Sequence, residues 1–511
     1  MIFRLRPWAA PVQLVLVVLC GLAGTARART PGGSTPDAGP TAQGAALLDA
    51  GTVRGISASD AGSPGTAEAA RASDAGTDLV AAPDGGTPAA HAGPPAKRQA
   101  PDYEGREPES SAGRDAALFL PRVILLPIYL VTEYVVAEPV GALAISAERT
   151  QWPKAIHDAL TFGPNQEGGI YPTFLIDFGL RPSIGFHLFW GFLPVSNRIS
   201  LDAAWGGSQW YSVAIADRQE FGKNESLVTE LRWDRRPDNP YFGIGPESSP
   251  DLRARVGTDV LLASLTWRKV TGPFTLRARG AVRRLDFKDF TCCGDPALKQ
   301  RVEQGQLPPP PGYEQPYTAA GAEVAAVLDT RAPDRVDRSG WRVALGAAPD
   351  IDLQRGGRLS WFRYAAAVEG NWDVTGNGRV LSLGVVSAFV DPLGSEPVPF
   401  TELVMLGGAE PFMGFLPGRV RDRSALVAQL GWHWPVFTYL DGLLAVSVGN
   451  VFGPHLDGFA LDLLRMSAGL GLRTRGGGLS EFEFLIGIGT EPFKNFSVSS
   501  FRLAFGVSYG P

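Results

Sequence analysis

The end of the chain alternates residue by residue. In "EFEFLIGIG", Phe482, Phe484, Ile486 and Ile488 share one parity, and Glu481, Glu483, Gly487 and Gly489 share the other. In "FRLAFGVSY", Phe501, Leu503, Phe505, Val507 and Tyr509 alternate with Arg502, Ala504, Gly506 and Ser508. Successive side chains on a strand leave opposite faces, so each run has one apolar face and one polar or small face. The pattern begins near Gly168: "IGFHLFWGF" sets Ile184, Phe186, Leu188 and Trp190 against Gly185, His187 and Gly191, and "FTLRARGAV" and "LVTELRWD" repeat it. A period of two sustained this far is incompatible with a helical domain. It leaves a soluble sandwich or a membrane barrel.

Three features favour the barrel. The alternating segments run to roughly ten residues, the length a membrane strand needs. Aromatic residues gather at segment ends (Trp205, Trp210, Trp233, Trp267, Trp341, Trp361, Trp432 and Trp434), as interfacial girdles do. No uninterrupted apolar helix is present to span a bilayer, and only a closed barrel leaves no unpaired strand edge in lipid. The expectation is an all-β, transmembrane antiparallel barrel of roughly sixteen strands over residues 161–511, the usual even number.

The N-terminus carries an export signal in residues 1–28: Arg4 and Arg6, an apolar "VQLVLVVLCGLAG", and "ARA" with cleavage expected after Ala28. Cys20 follows the bulky Leu19, a poor lipidation site. Residues 29–115 are Ala-, Gly-, Pro- and Asp-rich, with "Asp-Ala-Gly" at Asp37, Asp49, Asp60 and Asp74. So few apolar residues cannot offset ordering entropy, which predicts a disordered tether reaching on the order of 50 Å. Residues 116–160 are apolar but broken by Pro121, Pro127 and Pro139, which suits an interfacial segment better than a spanning helix. An exported barrel of this kind belongs in the bacterial outer membrane, with lipid as its surroundings.

The net charge of -5 gives no pull toward nucleic acid. With 3 Cys and 5 His a Cys/His metal centre is not expected, and neither is a cofactor. Cys292 and Cys293 are adjacent, either as loop thiols or as a vicinal disulfide. No Gly-x-Ser-x-Gly elbow, phosphate loop or His-Glu-x-x-His occurs, so an enzyme is not expected.

One long loop stands out, Asp391 to Asp422, with Leu403, Val404, Met405, Leu406, Phe412 and Phe415 inside it. Loops of that length are usually functional, and this one reads as folding back into the barrel. It holds "MGF" (Met413, Gly414, Phe415), then "GRVRDRS" (Gly418 to Ser424), then "WHWPVF" (Trp432 to Phe437). "DNPYFGIGPESS" (Asp238 to Ser249) and "VLDTRAPDRVDRSGW" (Val327 to Trp341) accompany it. In that order these stretches resemble the outer-membrane assembly-factor superfamily, the BamA/TamA-like barrels also called bacterial surface antigens. The resemblance implies a sixteen-strand barrel, a loop tucked into the lumen and a weak seam between first and last strands. It also implies a part in inserting or translocating proteins or lipids, with client membrane proteins or an accessory periplasmic protein as partners. The alternative is a passive pore or structural surface antigen that has lost insertion activity.

This chain departs from that pattern. The family's loop-tip arginine is Met413 here, and the acidic positions expected to face it are Gly431 and Ser447. Removing one member of a buried ion pair strands the other at a cost of about 3–5 kcal/mol, so joint loss is the less costly route. Docking is then expected through Phe412, Met413, Phe415 and neighbouring carbonyls. Arg419, Arg421, Asp422 and Arg423 are either a solvated rim cluster or, on the resemblance, inward groups paired with lumen acids. Gly431, His433 and Ser447 are expected on the lumen wall opposite the loop. No counterpart of the receiving domains that assembly members carry before the barrel is expected in residues 29–160, and the last residues read "VSYGP" rather than finishing on an aromatic.

Overall fold

The computed structural model describes Thr150 and residues 152–509, apart from 164–165, 192–196, 291, 332–338, 409, 438–439 and 475–479. The expected signal, the tether and most of segment 116–160 lie outside the described residues. What is described of that segment is helix α1 (Trp152–Leu160), which leads into a two-residue strand, β1 (Thr161–Phe162). No helix among the described residues is long and apolar enough to cross a membrane.

The barrel is built from sixteen strands. In chain order they begin with β2 (Gly168–Asp177), β3 (Ser183–Trp190), β4 (Asn197–Trp205), β5 (Tyr211–Glu220), β6 (Glu225–Tyr241), β7 (Ala254–Thr271), β8 (Phe274–Lys288) and β9 (Tyr317–Asp329). There follow β10 (Gly340–Asp352), β11 (Trp361–Asp373) and β12 (Val380–Pro392). A small hairpin, β13 (Val404–Leu406) and β14 (Val420–Asp422), interrupts the series and forms its own sheet. The wall then completes with β15 (Ser424–Phe437), β16 (Leu440–Phe452), β17 (Arg465–Thr474), β18 (Ser480–Thr490) and β19 (Val498–Tyr509). Each wall strand pairs antiparallel with its sequence neighbour, and β12 pairs with β15 across the hairpin insertion. Pairing of β19 with β2 closes the ring. A second helix, α2 (Leu298–Glu303), lies in the loop after β8.

The two ends differ. At one, strands are joined by short turns such as residues 221–224 and 272–273; at the other lie the loops 242–253, 289–316 and 393–423. In outer-membrane barrels the short turns face the periplasm and the long loops the exterior. The alternation sets the faces. Ile184, Leu231, Leu261, Leu345, Leu383, Leu430 and Phe501 are exposed on the outside, where lipid would meet them. Trp190, Trp341 and Trp372 stand exposed toward the short-turn end, and Trp205 and Trp233 toward the long-loop end. Trp434 lies across Gly442, its register partner, where a Cβ would collide with the indole. Two of the expected girdle residues belong elsewhere. Trp361 is fully buried, packed edge-on to Tyr317 in the core that the 393–423 loop joins, and Trp210 is buried beneath Arg236 of β6.

The interior is also unequal. In the long-loop half the 393–423 loop fills the barrel, so that Phe400, Leu403, Leu406, Phe412, Phe415 and Val420 join wall residues in one core. A second cluster gathers Met413, Leu443, Ala445, Leu485 and Ala504. Cys292 and Cys293, in the loop after β8, are joined as a vicinal disulfide.

Closure is the thinnest part of the ring. Four residue pairs join β19 to β2, from Ala504↔Asp177 to Val507↔Phe174; the other wall junctions carry between seven and fifteen. The Phe178 N–H adds one bond to Leu503 O. Below Phe174, β2 departs from β19, and its Pro172 has no N–H to offer a ladder, a residue type found on edge strands. There β1 lies along the vacated edge, pairing Thr161 with Gly169 and Phe162 with Gly168.

Candidate functional site

The loop between β12 and β15 reaches the lumen wall through its tip. Phe412 and Phe415 are fully buried and stacked, and Met413 is 2% exposed. The Gly414 N–H donates to Ser467 Oγ at 2.8 Å. A Cβ on Gly414 would run into the Ile488 carbonyl, so this position is fixed by a close backbone approach. The receiving surface is the small-residue face that alternation leaves on β17 and β18. A Cβ at Gly487 would meet Gly414, one at Gly489 the Phe415 ring, and one at Gly469 the Met413 side chain. The glycines there make a groove whose shape is the tip.

The wall that receives the tip is therefore β16–β19, and this corrects the expectation for Gly431. A Cβ at Gly431 would meet Ser382 Oγ on β12 and the His433 ring, not the tip. Ser447 is buried beside the groove, as the register partner of Ser467. The physical reason is that a methionine tip needs an apolar, glycine-floored site, and such a site lies on the last strands.

Where the tip carries no charge, the wall supplies one. Arg502 on β19 and Asp177 on β2 pair across the seam: Arg502 Nη2 donates to Asp177 Oδ2 at 2.9 Å, and Nε reaches both oxygens at 3.1 and 3.2 Å. Both side chains are buried. The same guanidinium donates through Nη1 to the Met413 carbonyl at 3.3 Å. One residue thus holds the two ends of the sheet together and holds the loop tip. Sequence reasoning missed this pair. The signal was present: a charge on the inward parity of the last strand, and another at the end of the first.

The loop has a second ionic anchor, at its entry. Glu402 is 1% exposed and accepts from Arg283 Nη2 of β8 at 2.6 Å and from the Tyr317 hydroxyl of β9. A weaker pair, Arg473 to Glu410 at 3.7 Å, stands close to the tip.

The "GRVRDR" stretch does not follow strand parity: Arg419, Val420 and Arg421 are all buried, and Arg423 is not. Gly418 has a positive φ of 69° and turns the chain. Arg419 and Arg421 are buried, so the solvated-rim reading does not describe them. Arg419 donates to Glu491 Oε1 at 3.0 Å and to the Ser248 carbonyl and hydroxyl, both at 3.0 Å. Arg465 grips the other oxygen, Glu491 Oε2, at 2.8 Å, and the Pro246 and Ser248 carbonyls at 3.0 and 2.9 Å. The Asp238–Ser249 stretch is therefore clamped by the stretch it accompanies in sequence. Burial, then the neighbouring Arg465 charge, lowers the Arg419 pKa to about 10, so it stays charged at neutral pH. Burial opposes ionisation of Glu491, but the Ser499 hydroxyl and the two arginines outweigh it and hold the carboxyl below its ordinary value.

Arg421 has no carboxylate in its hydrogen-bond set among the described residues. It donates to the Pro240 carbonyl at 2.8 Å, more distantly to Phe400 and Gly418 carbonyls, and lies over the Tyr241 ring at 5.0 Å. Burial brings its pKa down to about 10. Asp422 accepts the Arg423 N–H, and burial raises its carboxyl. Arg423 turns outward to Asp391 Oδ1 at 2.5 Å. The described residues of the other accompanying stretch, 327–331 and 339–341, lie at the opposite mouth, where Arg331 Nη2 pairs with Asp329 Oδ2 at 2.6 Å.

No protein-family model and no curated protein matches the chain. Solved structures of similar fold include BamA from Haemophilus ducreyi lacking POTRA domains 1-3, with a TM-score of 0.48 at 13% identity, covering 67% of this chain and 70% of that one. CdiB from Acinetobacter baumannii has a TM-score of 0.41 at 9% identity, covering 67% of this chain and 60% of that one. CdiB from Escherichia coli has 0.43 at 11%, covering 66% and 62%. The chain spans less than two thirds of either CdiB chain. These are likenesses of fold, and the closed sixteen-strand barrel stands on its own hydrogen-bond ladder.

Proposed function

We propose that the protein is a bacterial outer-membrane barrel that takes part in inserting or translocating proteins, or lipids, by parting its first and last strands. The observation that carries this reading is the β2–β19 seam: four paired positions, one bridging ion pair and a loop tip held by the same arginine. A ring with one thin junction opens there first, because local opening follows the fewest ladder bonds and buried contacts. An opened seam presents two strand edges to lipid, and such edges are satisfied by pairing with another strand. The partners of this reading are outer-membrane lipid and client membrane proteins, with an accessory periplasmic protein. No catalytic chemistry is part of it.

The test is a reversible lock. Leu175 and Gly506 are register partners across the seam, and opposed Cα atoms on antiparallel strands are spaced as a disulfide requires. The Leu175→Cys/Gly506→Cys variant, in liposomes, should insert a client barrel when reduced and stop when oxidised, with the parent protein under both conditions as control. Insertion undiminished by the lock would overturn the seam mechanism. Steady conductance with no insertion by the parent protein would favour a passive pore that kept the fold.

A further inference from the structure

We propose that the Cys292–Cys293 disulfide is a thiol–disulfide exchange site for small, carboxylate-bearing thiols at the long-loop mouth. The pair lies in the loop after β8. There a turn with positive φ at Cys293 (61°) and Gly294 (79°) is closed by the Asp295 N–H, which donates to the Cys292 carbonyl at 3.0 Å. The two cysteines are unequal. Cys292 is 4% exposed, whereas Cys293 is exposed. An attacking thiolate therefore meets Cys293, and Cys292 is the sulfur that leaves. A mouth that faces the cell exterior is oxidising, so the resting state is the disulfide.

The leaving sulfur has a cation against it. Arg181, in the turn between β2 and β3, donates through Nε to Cys292 Sγ at 3.2 Å. The two acids beside it are engaged elsewhere. Asp295 accepts from Arg253 Nε at 2.8 Å and from Arg255 Nε at 2.9 Å. Asp238 takes the Arg181 backbone N–H at 3.0 Å, but its side-chain pairing is with Arg236, at 3.1 Å. A guanidinium touching a sulfur favours the thiolate there, and exchange is faster when the leaving thiol is the more acidic. Beside Cys293 is an open cavity of about 520 Å³ lined by Arg181, Asp295, Pro296 and Gln300, room for a small peptide thiol. The Arg181 fork at its edge suits a carboxylate. The steps balance. A thiolate RS⁻ attacks Cys293 Sγ, the S–S bond breaks, and Cys292 departs as thiolate, leaving a mixed disulfide on Cys293. A second RS⁻ attacks the sulfur of R and releases RSSR and the Cys293 thiolate. Two external thiols are oxidised, two electrons enter the pair, and the protons of the thiols end on the two cysteines; RSSR runs the sequence backward. The site does not depend on insertion activity.

The experiment follows reduction of the full-length protein in detergent by glutathione and, separately, by cysteamine, which lacks a carboxylate. Samples are quenched with acid, alkylated and read by tandem mass spectrometry of the peptide 289–299. The first adduct is expected on Cys293, and glutathione should react faster than cysteamine at equal thiolate concentration. Arg181→Gln should slow glutathione roughly threefold to tenfold and erase its advantage over cysteamine. Arg181→Lys should retain most of the rate, since it keeps the charge. An adduct formed first on Cys292 would overturn the proposal, and that outcome is read in the parent protein whatever the variants do. So would equal rates for parent and Arg181→Gln, which would mark the guanidinium as packing. Glutathione no faster than cysteamine in the parent would overturn the carboxylate preference.

Discussion

At the scale of single residues, two positions separate shape from charge in the loop's attachment. Gly414 sits where a Cβ meets the Ile488 carbonyl, and backbone cannot give way as a side-chain end can. Gly414→Val should therefore expel the tip at a cost of about 1–3 kcal/mol while the barrel still closes. Limited proteolysis should then cut between 409 and 418, with heat-modifiable migration on a gel unchanged; an uncut loop would mean the groove adapts. Arg502 and Asp177 test charge. Asp177→Asn leaves a buried guanidinium without its anion, and Arg502→Gln does the converse, each at about 3–5 kcal/mol. The double variant should recover part of that loss, since no lone charge remains. A urea-midpoint shift for the double variant equal to the sum of the two single shifts would show that the pair contributes nothing as a pair.

At the scale of elements, strands and faces were legible in the sequence because alternation is local: side-chain parity follows from the backbone whatever the fold around it. The glycine face of β17 and β18 could be read the same way, and so could a tip that docks without its arginine. The location of the groove was not legible. It depends on which strands the loop crosses, and register between distant segments leaves no local trace, so Gly431 was expected where Gly469 and Gly487 stand. Trp361 and Trp210 misled for the same reason, since a tryptophan at a strand end reads alike when buried and in a lipid girdle. The clamp of Arg419 and Arg465 on Glu491 joins three loops that no sequence period connects, and it carries a pH dependence. Glu491 is held below the ordinary carboxylate value of about 4.3. A group depressed on folding lends stability that is fully present above its unfolded pKa and is lost as pH falls through its folded pKa. Protease sensitivity of loops 242–253 and 491–497 should thus stay low at neutral pH and rise below about pH 4. Glu491→Gln should be sensitive already at neutral pH and show no further step there; an acid step that survives the substitution would assign it to another group.

For the whole molecule, the question is whether seam and loop tip move as one. Arg502 touches both, through Asp177 and through the Met413 carbonyl. If the guanidinium holds both only when both are in place, then docking the tip favours a closed seam, and by linkage closing the seam favours a docked tip by the same factor. The prediction can be read without labelling the tip. The Gly414 amide is bonded to Ser467 Oγ, so its hydrogen exchange reports docking, while amides of Phe174–Asp177 report the seam. Oxidising the Leu175→Cys/Gly506→Cys pair should slow exchange at Gly414, several residues and one loop away from the disulfide. Gly414→Val should speed exchange along Phe174–Asp177 by a matching factor. Adding Arg502→Gln to either should abolish the cross-effect and leave only the local one. Equal exchange at Gly414 in the locked and unlocked barrels would mean that the shared arginine is a coincidence of packing, and that the lumen loop and the seam respond to their ligands separately.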